Sequence, residues 1–241
     1  MVVSTIALPP AVAEQPSARP SATPSTPSTA ATAANDARHL KDVPQDDAVG
    51  RAMAKAKATH QPVPVDSLTT ASSETVATPD GHLKLTSHAE QQRTKRNGTW
   101  LPLDAALAAN PDGTFSPKVS AAPLALSKGG DGPLATMTDA DGKKLALTAP
   151  FKLPAPTVSG DSVVYPSVAP DTDLKVTATK AGGLRTVLIV KTQAAAANPQ
   201  LANLHFDVAG DGISVSGDKA GNLVAKSADG KPRWASAAPL M

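Results

Sequence analysis

Histidine is the first residue to test for catalysis or metal binding, and the chain holds five: His39, His60, His82, His88 and His205. His82 and His88 share strand parity, but the extended chain between them spans roughly 20 Å, too far to chelate one ion. Both therefore read as solvent-facing strand positions. No G-x-S-x-G, H-E-x-x-H or G-x-x-x-x-G-K-[ST] occurs, so nucleophile-elbow, zincin and P-loop chemistries lack their local signatures. Cysteine is absent, which removes thiolate-ligated zinc, iron–sulfur centres and a disulfide framework. The expectation is a chain that is not an enzyme, with no catalytic, cofactor-binding or metal-ligating residue assigned.

Carboxylates offer a further chemistry. Asp-Gly pairs recur at Asp80-Gly81, Asp112-Gly113, Asp131-Gly132, Asp141-Gly142, Asp211-Gly212 and Asp229-Gly230. Asp139-Ala140-Asp141-Gly142 starts like a calcium loop, but the twelfth position is Pro150, where an EF-hand carries its bidentate Glu, and the glycine comes early. Turn chemistry accounts for all six pairs, so no cofactor is assigned and calcium is the minor reading. Asp171 and Asp173 share a strand face, but two carboxylates make a weak site. The densest local charge is Arg93, Lys95 and Arg96, beside Asn97-Gly98 and close to Trp100. A basic hairpin end could touch an anionic cell-wall polymer or a glycan, salt-sensitively, with the indole as a stacking surface. A solvated loop is the plainer reading, and these four residues are kept as weak binding candidates.

The elements that position such groups are short strands. Leu83 and Leu85 alternate with Lys84 and Thr86. Leu174, Val176 and Ala178 alternate with Lys175, Thr177 and Thr179, and Gly182-Gly183 then turns the chain into Val187-Leu188-Ile189-Val190. That last run is apolar on both faces and predicts a central strand covered on both sides, at least near its middle. Leu204, Phe206 and Val208, then Ile213 and Val215, repeat the alternation, while Gln193 to Ala197 predicts one helical turn ended by Asn198-Pro199. Such spacing predicts an all-β fold, an antiparallel β-sandwich-like domain or an open twisted sheet, over 61–241. About 180 residues can bury about 70% of their unfolded surface. All six aromatics lie in that region, and Trp100, Tyr165 and Phe206 read as core anchors before ligand platforms.

Three segments precede it. Between 44 and 60, Val49, Ala52, Met53 and Ala56 recur with helical spacing, Asp46 and Asp47 at the start and Lys55 and Lys57 near the end, predicting one short helix. Residues 14–43, dominated by Ala, Ser, Thr and Pro, are expected to form a disordered linker. Met1 to Ala13 carry no charge and end in Ala11-Val12-Ala13 before Glu14, an h-region and A-x-A site without a positive n-region. A signal peptide truncated at its start and an apolar, Pro-broken tail both fit. The former is preferred, and with it a secreted or cell-envelope location. The 23 Lys and Arg against 21 Asp and Glu give a net charge of +2, too small for phosphate-driven nucleic-acid binding. No uncharged apolar run reaches the roughly 18 residues of a transmembrane segment.

Residues 58–241 resemble the N-terminal region of large exported proteins of high-GC Gram-positive bacteria that carry LamG-like jelly-roll, DNRLRE or RHS-repeat modules. The resemblance rests on Val63-Pro64-Val65, Leu68-Thr69-Thr70, Thr78-Pro79-Asp80-Gly81, Asn97-Gly98-Thr99-Trp100 with Pro102-Leu103-Asp104, and Gly129-Gly130-Asp131-Gly132-Pro133. It is densest from Tyr165-Pro166 through Asp173-Leu174-Lys175-Val176 to Val187-Leu188-Ile189-Val190-Lys191, followed by Ala197-Asn198-Pro199-Gln200-Leu201. It implies a non-catalytic structural or adaptor module whose partners are downstream domains of the same parent chain. Because the look-alikes continue past the segment matching Ala237 to Met241, a fragment truncated at the C-terminal end of its β domain is expected; a complete small secreted protein is the alternative. A glycan or wall-polymer binding module, or the non-catalytic part of an enzyme or toxin whose effector lies beyond Met241, are the competing functions.

Overall fold

The computed structural model describes residues 3–7 and 47–240, with side chains described for 47–237. The expected linker at 14–43, the Ala11-Val12-Ala13 site and Pro44 to Asp46 lie outside the described residues. The described residues divide into two units at Glu90, one comprising 47–89 and the other 3–7 with 90–240.

In the first unit, helix α1 (Ala48–Thr59) starts where Asp47 accepts a hydrogen bond from the Gly50 amide, and it ends where His60 adopts a left-handed conformation. Strands β2 (Val63–Pro64), β3 (Ser73–Ala77) and β4 (Leu83–Ser87) form an antiparallel sheet in that order. A small core of Ala52, Ala56, Val65 and Ala77, with Val49, Met53 and Val63 against it, joins helix to sheet. The helix expected as a separate segment is therefore packed with strands expected to belong to the β domain.

The second unit contains β1 (Val3–Ala7), β5 (Arg93–Arg96), β6 (Thr99–Pro102), β7 (Asp104–Ala109), β8 (Phe115–Val119), β9 (Leu124–Leu126), β10 (Ala135–Thr138) and β11 (Lys144–Thr148). It continues with β12 (Thr157–Ser159), β13 (Ser162–Ala169), β14 (Thr172–Ala178) and β15 (Leu184–Val190), then the short helices α2 (Gln193–Ala196) and α3 (Pro199–Ala202). It closes with β16 (Asp207–Gly210), β17 (Ile213–Gly217), β18 (Leu223–Ser227) and β19 (Pro232–Leu240). One sheet runs β12-β13-β14-β15-β1-β19-β18-β17 and another β16-β11-β10-β9-β8-β7, while β5 and β6 form a separate hairpin. This is the all-β, antiparallel sandwich-like architecture expected from the alternation.

Period-two burial explains why the two larger sheets close on each other. Along β14, Thr172, Leu174, Val176 and Ala178 are buried and the residues between them are partly exposed. Ala135 and Met137 on β10 and Leu145 and Leu147 on β11 supply the facing side. Tyr165 is fully buried between the sheets and donates its hydroxyl to the Ser127 carbonyl at 2.7 Å. Trp234 is 1% exposed in the same core.

The strand after Gly182-Gly183 is central, lying between β14 and β1; its outer face is partly covered at Val187 in the middle and open at the end. Leu184, Thr186 and Leu188 are buried, whereas Ile189 is 39% and Val190 37% exposed. An unbroken apolar run there marks a strand whose outer face meets solvent. The single helical turn expected at Gln193 to Ala197 is α2, and Asn198 then caps a second turn, α3, by accepting from the Gln200 amide at 3.0 Å.

Candidate functional site

The four residues singled out from the sequence meet on one hairpin, though not all on one face. Asn97 (φ 49°) and Gly98 (φ 81°) form the two-residue turn between β5 and β6, the geometry an Asn-Gly pair favours. The register sets Arg93 opposite Pro102, Lys95 opposite Trp100 and Arg96 opposite Thr99. Strand alternation therefore gathers Arg93, Lys95 and Trp100 on one face and sends Arg96 to the other. The Lys95 ammonium lies 5.6 Å from the centroid of the Trp100 ring, a cation–π distance. The indole N–H of Trp100 is buried without a hydrogen-bond partner, so it is not presented to a ligand. Trp100 is half-buried and Lys95 exposed. Chemically the hairpin is a cationic surface with an aromatic floor.

The carboxylates are placed differently. Six hairpins reuse one turn, in which the first residue's amide bonds the fifth residue's carbonyl and the fourth residue's amide bonds the first residue's carbonyl. The first residues are Thr78, Asn110, Asp139, Thr179, Asp218 and Ser227, and the fourth is always glycine: Gly81, Gly113, Gly142, Gly182, Gly221 and Gly230. Each of these glycines has a positive φ, as a type I turn followed by a bulge requires. At Gly182 a side chain is doubly excluded, since an added Cβ would lie 2.2 Å from the Ala122 carbonyl oxygen. Asp80, Asp112, Asp141 and Asp229, four members of the six Asp-Gly pairs, occupy the third position of this turn.

The first-position side chains hold the turn together. The Asp139 Oδ1 accepts from the Asp141 and Lys143 amides at 2.9 and 2.8 Å, and the Asp218 Oδ1 accepts from the Ala220 and Asn222 amides at 2.8 and 2.9 Å. Hydrogen bonds from Asn222 hold the Asp218 carboxyl below the ordinary carboxylate range, and the Ser227 hydroxyl holds that of Asp229 down to about 2. Asp173 is likewise lowered, chiefly by Lys191 at 2.7 Å and by the Ser167 amide at 2.8 Å. The calcium-like start at Asp139 and Asp141 is instead paired with Arg233, whose guanidinium lies 3.5 Å from the buried Asp139 Oδ2 and bonds the Asp141 carboxylate. Among the described residues, no three His, Cys, Asp or Glu side chains converge as a metal site. His82 sits in the first of these turns, 3.9 Å from Asp80 and exposed, and His88 follows β4.

One apolar cleft escaped the sequence reading. It is shallow and open to solvent, with a volume of about 20 Å³, little more than one water, among Leu145, Val208, Val215, Leu223, Ala225 and Trp234. The Trp234 indole N–H is buried without a partner. The walls of the cleft come from the consecutive strands β16 to β19 together with Leu145 of β11, a combination set by the pairing of β16 with β11.

These features define an all-β sandwich whose acidic residues build turns. Compared with protein-family profiles, with curated proteins and with solved structures, the chain matches none.

Proposed function

We propose that the protein is a non-catalytic structural or adaptor module of an exported or cell-envelope multidomain protein, of the kind its sequence resembles. The observation that supports this reading is the use of its polar side chains: the first-position Asp, Thr, Asn and Ser groups, and Arg233 with them, are engaged in fixing hairpins and in joining one sheet to the other. Rigid, turn-locked antiparallel sheets suit a module that sets the position of its neighbours. The test is export. Expressed behind a positively charged n-region, the chain should yield protein in the medium whose first residue is near Glu14. Retention in the cytosol would remove the exported-module reading.

A second reading is carried by the stacked Lys95 and Trp100: a module that binds glycan or wall polymer on the β5–β6 face. It predicts retention on isolated cell wall, weakened by salt and abolished in Trp100→Ala. Binding indifferent to both changes would eliminate it.

A further inference from the structure

The eight-stranded sheet is made of two local meanders and one visitor. Strands β12 to β15 pair in sequence order, and so do β17 to β19. Between them lies β1, antiparallel to both, from the opposite end of the chain. Its register sets Val3 opposite Val187, Ser4 opposite Thr186, Thr5 opposite Arg185 and Ile6 opposite Leu184 on one side. On the other it sets Thr5 opposite Ala237, Ile6 opposite Ser236 and Ala7 opposite Ala235. The shift between Val3 and Thr5 falls where β19 carries Pro239, which has no amide for the ladder.

Both flanks of this slot are core strands. Leu184, Thr186 and Leu188 of β15 are buried, as are Trp234 and Ser236 of β19. Ser4 and Ile6 stand at the register positions of those buried residues, and Val3 and Thr5 at those of the outer face. Removing β1 would leave two facing rows of backbone amides and carbonyls, two strand spacings or roughly 10 Å apart. Nothing else in the connectivity joins β15 to β19 within that sheet.

We infer that the gap between β15 and β19 is a strand-accepting site, filled in this structure by Val3–Ala7 and able to take an uncharged, extended peptide of the same chemistry in trans. Recognition is by main-chain pairing on both sides, the mode in which a peptide adds a strand to exposed sheet edges. The five residues Val-Ser-Thr-Ile-Ala carry no charge and no proline, which suits a central position. The slot gains its biological occasion from the proposed export: cleavage near Glu14 severs β1 from the rest of the chain, so that an incoming strand competes with it for the site. Its physical existence does not depend on that reading, and the experiment below is done on purified protein.

Hydrogen exchange on the full chain is the first readout. Thr5→Pro, which deletes one central ladder amide and disfavours pairing, should lower the protection of amides in 184–187 and 235–240 by at least about tenfold while β13 and β14 keep theirs. Unchanged protection in both flanking segments would overturn the inference. The second readout uses the wild-type chain carrying a specific protease site between Pro27 and Ser28. After cleavage, and with exchange assisted by sub-denaturing urea, a fluorescent peptide of residues 1–10 should co-elute at one per chain and be displaced by its unlabelled form. The same peptide with Thr5→Pro should not bind. Absence of uptake, or uptake indifferent to the proline, would overturn the inference even if the full-length variant loses protection throughout. Failure of export would leave both readouts as they are.

Discussion

The two units bury different kinds of residue, and the difference separates what holds each together. The sandwich fully buries Trp234, Tyr165, Leu126, Leu134, Met137, Leu174 and Leu184. The apolar core of the helix-and-sheet unit of 47–89 is three alanines and one valine, with Thr75 buried beside them. At about 0.8 kcal/mol per buried methyl-sized group, the smaller core supplies only a few kcal/mol against the entropy of ordering its chain. Local devices, the Asp47 cap and the first of the glycine turns at Thr78 to His82, carry a larger share there. Urea titration should show this as two transitions, with the helical signal of α1 lost first and the sandwich later. A single coincident transition would break the comparison.

The largest single effect belongs to the sandwich. Trp234→Ala should cost about 3–5 kcal/mol, because removing a fully enclosed indole leaves a large void in the core. Its sign is a lowered midpoint for the second transition with the first unmoved, monitored through the fluorescence of Trp100. Arg233→Ala comes next at about 2 kcal/mol, since it strands the Asp139 carboxylate, whose side chain is 3% exposed. Adding Asp139→Asn should recover much of that loss in a double-mutant cycle. Additive losses would show that the two residues act independently.

Tyr165→Phe should cost about 1–2 kcal/mol by leaving the buried Ser127 carbonyl without its donor. Burial also pushes the Tyr165 hydroxyl well above the ordinary value for a phenol. A raised folded pKa gives stability that is complete below about pH 10, where the unfolded phenol keeps its proton, and that falls as pH rises further. The wild type should therefore weaken above pH 10 and the phenylalanine variant less steeply. Parallel alkaline limbs for the two proteins would contradict the assignment.

The sandwich was legible in the sequence because its faces alternate with period two and because glycines punctuate it. Leu174, Val176 and Ala178 announced both a strand and its buried side. The turns were legible only in part: Asp-Gly was visible, but the recurring first residue three positions before the glycine, Thr78, Asn110, Asp139, Thr179, Asp218 and Ser227, was the missed signal. Its side-chain oxygen or amide is the half of the turn that makes local hydrogen bonds. The candidate hairpin was legible as a turn with charges, but not as a face, because separating Arg96 from Lys95 and Trp100 needs the register. The placement of β1 had no local signal at all. Its partners lie roughly 180 to 240 positions along the chain, and nothing in Val-Ser-Thr-Ile-Ala specifies them.

The smallest expected effect sharpens the contrast between the units most directly. Leu83 and Leu85 alternate with Lys84 and Thr86 as cleanly as the residues of β14 do, and the segment is indeed a strand. Yet Leu83 is 42% and Leu85 64% exposed, and no residue of β4 is buried. Alternation reports the backbone's period; burial needs a second layer, and β4 pairs only with β3 at one side of its sheet. Leu85→Ala should therefore shift the first unfolding transition by less than about 0.5 kcal/mol, whereas Leu174→Ala, the matched change in the sandwich, should cost about 2–5 kcal/mol. A loss above 1 kcal/mol at Leu85 would mean that β4 is covered in solution and that the smaller unit's core is larger than its alanines and valine.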